Sequence, residues 1–148
     1  MEFDELIADF AKRHNVVDLV AVDGAASLDI DGIIVTIVAN ADTLILSAEI
    51  GEPPTEGADM FSNLLLEANL QSGAYFAKSP EQGPYLVVRR LSLSLIDSDA
   101  FDAALEAFVN TAETWRRLLA DFRPVAKAAA EQVEVERPSF GSNGFMQV

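Results

Sequence analysis

Apolar residues at the start of the chain recur at helical spacing. From Phe3 to Ala11 they occupy positions i, i+3, i+4, i+7 and i+8, which form one stripe along a helix. Lys12, Arg13 and His14 follow the stripe, where positive charge suits the negative end of the helix dipole. The pattern predicts a helix over residues 2–14.

The middle of the chain alternates between apolar and polar residues, a pattern typical of antiparallel strands. Two tight turns, Asp31-Gly32 and Asn40-Ala41-Asp42, separate the first three segments and predict a three-stranded meander. The apolar run from Val16 to Val22 is interpreted as a connecting strand. The predicted strands cover residues 26–30, 33–39, 43–50, 74–78 and 85–96, and a short helix covers residues 60–70.

The longest apolar stripe lies further along the chain. Between Phe101 and Phe122, apolar residues alternate in steps of four and three, which predicts a helix over residues 98–122. Asp97 can cap its first turn, and Pro124 ends it.

The elements follow the order α-β-β-β-α-β-β-α. Strands grouped apart from helices indicate an α+β fold, here an antiparallel sheet of about five strands with helices packed on one face. Residues 1–123 are expected to form this domain. Residues 124–148 are expected to form a tail that is partly helical over 125–131 and then flexible, with an apolar end, Gly-Phe-Met-Gln-Val.

The chain is both strongly acidic and rich in apolar residues. Its 148 residues carry a formal net charge of −14 at pH 7, and 50% of them are hydrophobic. Acidic disordered proteins lack this apolar content, so the chain is expected to fold. The negative field disfavours nucleic acid and anionic lipid. It either attracts a basic partner or keeps the protein in solution.

The sequence indicates a cytoplasmic location. No apolar run approaches the roughly 20 residues that span a bilayer. The acidic start, which includes Glu2 and Asp4, lacks the basic region of a secretory signal. We therefore expect neither membrane insertion nor secretion.

Side chains for common catalytic chemistry are scarce. The chain has one histidine, His14, and no cysteine, so triads, thiolate nucleophiles and common zinc sites lack their parts. Asp29-Ile30-Asp31-Gly32 resembles part of a calcium loop, but the apolar residues after it are not calcium ligands. A hairpin turn explains the same residues. We expect no enzymatic activity, no cofactor and no metal.

Two successive arginines, Arg89 and Arg90, interrupt both faces of the last predicted strand. One interpretation is that they bind an acidic partner. The other is that they mark an exposed strand edge or form an internal salt bridge.

The apolar residues exceed what one covered sheet face requires. Strand 33–39 is apolar on both faces, and Leu64-Leu65-Leu66 points in more than one direction on its helix. These residues are either ordinary core or a binding surface. A second copy is the simplest partner for such a surface, and an extended polypeptide is another.

The order of elements, the acidity and the length resemble the Tir-chaperone (CesT) family of class I type III secretion chaperones. The matching stretches are Phe3-Asp-Glu-Leu-Ile-Ala-Asp-Phe-Ala, the strands over residues 26–50, and the helix from Phe101 to Leu119, which ends in Thr-Trp-Arg-Arg-Leu-Leu. The resemblance covers residues 1–122 and rests on pattern, not on a catalytic signature.

The resemblance implies a cytosolic homodimer that hydrolyses no nucleotide. It implies that the protein binds the N-terminal chaperone-binding segment of a secreted effector and keeps that segment extended and competent for export. A dimeric protein–protein interaction module that binds a regulator instead of an effector is the alternative.

The resemblance also implies two sets of binding residues through the order of elements. The second helix and the strand after it correspond to the family's dimer interface, and the first helix with the sheet corresponds to its effector-binding patches. The implied interface residues are Met60, Phe61, Leu64, Leu65, Tyr75 and Phe76. The implied effector-binding residues are Leu6, Phe10, Val35, Ile37, Leu44 and Leu46.

Overall fold

The computed structural model describes residues 2–71, 73–78 and 83–124. Within these residues, three α-helices and five strands follow the predicted order. The helices are α1 (Phe3–Arg13), α2 (Ala58–Ala68) and α3 (Ser98–Ala120), and the strands are β1 (Ala25–Ile30), β2 (Ile33–Asn40), β3 (Thr43–Gly51), β4 (Tyr75–Lys78) and β5 (Tyr85–Ser92). The predicted turn around Pro80 and the predicted tail beyond Pro124 lie outside the described residues.

The five strands form one antiparallel sheet in the order β1-β2-β3-β5-β4. β1, β2 and β3 make the predicted meander, β5 pairs with β3, and β4 pairs with β5. The α+β fold predicted from the sequence is confirmed. β1 and β4 are the two edges, so each has one side without a neighbouring strand.

The helices cover one face of the sheet. Leu28, Val35 and Leu46 lie on this inner face and join the apolar stripes of the helices in one core. On the outer face, Thr36 pairs with Ser47, and Ser47 pairs with Val88. The period-two alternation of each strand therefore separates a buried face from a face that no described helix covers.

Both predicted hairpin turns are present. Ile30 pairs with Ile33, so Asp31 and Gly32 form a two-residue turn with φ values of 53° and 87°. Asp29 Oδ1 accepts a hydrogen bond from the Gly32 N–H at 2.9 Å. The hairpin accounts for these acidic residues, and the described part of the chain contains no cluster of side chains able to hold a metal ion.

Two predicted strand segments differ from the structure. The run from Val16 to Val22 is irregular apart from one bridge between Val22 and Ala25. β5 ends at Ser92 and not at Ile96, because a 3₁₀ turn over Leu93–Leu95 follows it. Long-range hydrogen bonds to Asp42 hold this turn, and a strand pattern carries no sign of them.

Arg89 and Arg90 lie in the part of β5 that extends past the end of β4. They pair with Leu46 and Ile45 of β3, whereas β4 pairs only with residues 85–88 of β5. Because β4 does not reach the two arginines and Arg90 is exposed, the interpretation as an exposed strand edge stays a prediction. Neither arginine forms an ion pair with any described residue.

The helix ends show which capping predictions hold. Asp97 caps α3, since its Oδ1 accepts a hydrogen bond from the Ala100 N–H at 2.7 Å. α2 begins at Ala58, directly after Gly57 and two residues before its predicted start at residue 60. Gly57 has φ +79°, and a Cβ there would lie 2.9 Å from Pro124 Cβ, so the chain requires glycine at this position.

None of the described helices has both the length and the apolarity of a bilayer-crossing segment.

Candidate protein-binding surfaces

The six residues implied for a dimer interface fall into two groups. The buried group consists of Phe61, Leu65 and Phe76, and the exposed group consists of Met60, Leu64 and Tyr75. The Phe61 ring packs edge-on against Trp115, with ring centroids 6.0 Å apart, and against Phe122 at 5.2 Å. The buried group thus belongs to the core of one chain, and the exposed group has surface to offer to a second copy.

Further apolar side chains are exposed on α2 and after it. Leu66 is 63% exposed and Leu70 is 87% exposed. Leu66 lies beside β4 in a shallow groove with Ala77. We define the α2–β4 surface as the exposed apolar residues on both flanks of the buried stripe of α2, after α2, and on β4: Met60, Leu64, Leu66, Leu70 and Tyr75. Large apolar side chains left exposed on neighbouring elements are typical of a contact surface.

The two sheet edges differ in their free main-chain groups. At β4, the Phe76 N–H donates to Asn69 Oδ1 at 2.6 Å, and Asn69 Nδ2 donates to the Phe76 carbonyl at 3.2 Å. At β1, Val22 pairs with the outward groups of Ala25, but the outward groups of Ser27 and Asp29 bond to no described residue. Asn69 therefore blocks β4 near its middle, and β1 leaves main-chain groups open to another strand.

The six residues implied for effector binding all lie in the core. They are Leu6, Phe10, Val35, Ile37, Leu44 and Leu46. Phe10 is 8% exposed, and the other five have no exposed surface. The four strand residues lie on the inner face of the sheet, which the helices cover, and Leu6 and Phe10 lie on the buried stripe of α1. Phe10 lines a groove at the surface.

This groove lies between α1, the turn joining β1 to β2, and α3. It is open to solvent and has a cavity volume of about 530 Å³. We define the α1–α3 groove by two sets of residues. Its apolar floor consists of Phe10, Ile30, Leu105 and Val109, and its polar rim includes His14, Asp31, Asp102 and Glu106. An apolar floor within a polar rim suits one or two apolar side chains of a bound polypeptide.

An ionic network holds one wall of the groove. Arg13 donates to both carboxylate oxygens of Asp102, with Nη2 3.0 Å from Oδ1, and its Nε donates to Asp9 at 2.7 Å. The hydrogen bonds from Arg13 hold the pKa of Asp102 below its usual range. The Ser98 hydroxyl, 2.7 Å away, and Arg13 do the same for the pKa of Asp9. The network ties the last turn of α1 to the start of α3.

The groove is not evident from the sequence. The sequence pattern places Ile30 in a strand and Asp31 in a turn, and nothing in it distinguishes Glu106 from other exposed acids. One local signal exists, because Val109 follows Leu105 by four residues and widens the apolar stripe of α3. The meeting of this stripe with α1 is a tertiary contact, which local spacing does not encode.

Comparisons with known proteins identify a family. Residues 5–116, which are more than half of the chain, match the sequence profile of the Tir chaperone protein (CesT) family. No curated protein sequence is significantly similar to the chain.

Several solved structures share the fold. The chain is similar to one in the crystal structure of the ExsC–ExsE complex, with 24% identity and a TM-score of 0.68 over 84% of this chain and 95% of that one. A chain of the HopA1–SchA chaperone–effector complex has 16% identity and a TM-score of 0.65 over 76% and 91% of the two chains. The complex of the Yersinia pestis type III secretion chaperone SycH with a stable fragment of YscM2 gives 18% identity and a TM-score of 0.62 over 77% and 99%.

At identities this low, the similarity to these structures shows a common fold only. The match to the sequence profile shows the family. The observed element order and five-stranded antiparallel sheet agree with both. The chain belongs to the Tir chaperone protein (CesT) family.

Proposed function

We propose that this protein is a cytoplasmic type III secretion chaperone that binds the N-terminal chaperone-binding segment of an effector and keeps it extended for export. Membership of the CesT family supports this function. The observation that carries it is the open outer edge of β1 at Ser27 and Asp29, next to the α1–α3 groove that begins at Ile30. An extended segment gains main-chain hydrogen bonds along such an edge and fills the groove with an apolar side chain.

The protein acts in this proposal by binding and not as an enzyme. The α1–α3 groove has an apolar floor and lies open to solvent, which suits a polypeptide better than a reaction that must exclude water. A regulatory protein in place of an effector is the alternative partner. The identity of the protein that co-purifies with the chaperone separates the two.

Blocking the edge of β1 tests the proposal. Ser27→Pro removes an outward N–H that the sheet does not use, so the β1–β2 ladder is retained while strand addition is obstructed. We expect this variant, purified from its native host, to lose the partner that the wild type carries. The partner is identified by mass spectrometry, and hydrogen exchange locates the bound segment.

Ser27→Thr is the matched control, because it keeps the N–H and should retain the partner. Equal recovery with Ser27→Pro would contradict the role of the β1 edge. Protection of a folded domain of the partner, rather than its N-terminal segment, would contradict the chaperone function.

The proposed chaperone is a homodimer joined through the α2–β4 surface. Leu64 and Leu66 are 42% and 63% exposed in the single chain, and a second copy would cover them. Because Asn69 occupies the main-chain groups of Phe76, the two copies meet through side chains and not by continuing the sheet at that point.

Charge placed on the α2–β4 surface tests the dimer. Leu64→Asp combined with Leu66→Asp should convert a two-chain sedimentation mass into a one-chain mass, since burying each unpaired carboxylate costs several kcal/mol, roughly. Both side chains are exposed, so the circular dichroism spectrum should not change. Leu95→Asp, at an apolar position that is 85% exposed elsewhere, should remain dimeric. A wild-type mass of one chain at micromolar concentration would exclude the homodimer.

A further inference from the structure

The rim of the α1–α3 groove carries two carboxylates that form no ion pair with the described residues. Arg13 and His14 both contact Asp102. Asp31 and Glu106 are exposed and form no ion pair with any described residue. Two carboxylates thus remain available at the mouth of the groove.

Both carboxylates stand on rigid supports. Asp31 lies in the two-residue turn between β1 and β2, and Arg116 of α3 holds this turn through a 3.1 Å hydrogen bond to the Gly32 carbonyl. Glu106 lies in the middle of α3, one residue after the floor residue Leu105. The backbone at both positions is therefore held beside the apolar floor, which sets where a charged residue of a partner must lie to pair with them.

We propose that the α1–α3 groove selects polypeptide segments in which an apolar anchor residue is flanked by lysine or arginine. The inference rests on the proposed function, and it adds a preference for positive charge in the bound segment. The apolar anchor lies on Phe10, Ile30, Leu105 and Val109. A basic residue beside the anchor pairs with Asp31 or Glu106, and an acidic residue there is repelled.

The expected change in Kd is modest, because the ion pairs with Asp31 and Glu106 would be exposed to solvent. Exposed ion pairs contribute little each, and two of them together correspond to a change in Kd of about 2-fold to about 30-fold. A preference of this size is enough to choose among segments with equal apolar anchors. It is too small to bind a basic segment that has no anchor.

Selection from a peptide library tests the inference. The full-length wild-type protein is panned against a phage library of random dodecapeptides at about 0.15 M salt, where exposed charges more than about 8 Å apart are largely screened. We expect enriched peptides to carry lysine or arginine next to an apolar residue. Replacing the basic residue of an enriched peptide by glutamine removes one of these pairs and should weaken binding by about 1.4-fold to about 5-fold.

Two matched variants separate the rim from the overall charge of the protein. Asp31→Asn with Glu106→Gln should keep the apolar enrichment and lose the basic enrichment. Asp18→Asn with Glu56→Gln removes the same charge from exposed positions that do not line the groove, and it should behave as the wild type.

Every other outcome overturns the inference. Basic enrichment that survives in the rim variant would assign the preference to the net charge of −14. Apolar enrichment without basic neighbours would refute the charge preference and leave the proposed chaperone function intact. No enrichment of either kind would refute the groove as a peptide site, and the Ser27→Pro experiment would then decide the chaperone function separately.

Discussion

Asp42 shows how one side chain ends a strand. Its carboxylate accepts hydrogen bonds from the Ser92 hydroxyl at 2.6 Å and from the Ser94 N–H at 2.8 Å. These bonds turn the chain out of β5, although the apolar alternation continues to Ile96. They also hold the pKa of Asp42 below its usual value of 3.8, with the Ser92 hydroxyl as the main cause.

Asp42→Asn should lower the free energy of unfolding near neutral pH, because an amide accepts fewer of these hydrogen bonds than a carboxylate. The folded pKa of Asp42 lies below the unfolded one, so its stabilising contribution is complete above the unfolded pKa. It declines as the pH falls through the folded pKa. The difference between variant and wild type should therefore shrink between about pH 7 and about pH 3 in urea unfolding.

Asp18→Asn is the control for this measurement. Asp18 is exposed in the loop between α1 and β1, and its loss removes the same charge without those hydrogen bonds. A pH-independent difference between Asp42→Asn and the wild type would show that the carboxylate charge of Asp42 does not stabilise the fold.

Among the elements, α2 joins the helical layer to the sheet through one aromatic cluster. Phe61 contacts Trp115 of α3 and Tyr85 of β5. The Tyr85 hydroxyl, in turn, lies 2.9 Å from Ser62 Oγ and donates to the Ala58 carbonyl at 3.3 Å. The inner side of α2 is thus core, and its exposed side is free to meet a second copy.

Phe61→Ala should cost about 3–5 kcal/mol of unfolding free energy, because it leaves a cavity among aromatic rings. The measurement is made by urea unfolding in the Leu64→Asp, Leu66→Asp background, so that dissociation does not contribute. Leu95→Ala in the same background should change stability by less than about 0.5 kcal/mol. A loss for Phe61→Ala as small as that of the control would place Phe61 outside the core.

At the scale of the whole molecule, net charge opposes folding and also opposes the proposed dimerisation. The chain carries 24 acidic side chains against 10 lysines and arginines, and the described residues contain few ion pairs. Repulsion among these acids is long-range and is reduced by salt.

Raising the salt concentration from about 0.01 M to about 0.15 M shortens the Debye length from about 30 Å to about 8 Å. We expect the free energy of unfolding to rise over this range and the dissociation constant of the proposed dimer to fall. Unfolding in urea and sedimentation equilibrium measure the two quantities. A dimer that weakens with added salt would indicate that ion pairs across the interface outweigh the repulsion.

The helices and strands could be predicted from the sequence because their signals are local. The stripe beginning at Phe3, the Asp31-Gly32 turn and the Asp97 cap each depend on residues a few positions apart. Two boundaries, the end of β5 and the start of α2, differ from the prediction at points where a distant group makes contact. Asp42 ends β5, and Phe122 and Pro124 pack against Gly57 at the start of α2.

The sequence by itself determined the type and order of the elements and the family, since periodicity and turn chemistry are properties of adjacent residues. Tertiary structure decided which apolar residues are surface. Leu64 and Leu65 are neighbours with similar side chains, but only Leu65 faces the core. The tertiary structure also placed Phe10 and Val109 in one groove and left Ser27 on an open edge. The physical reason is that burial depends on which faces meet across the fold, and local spacing cannot specify those contacts.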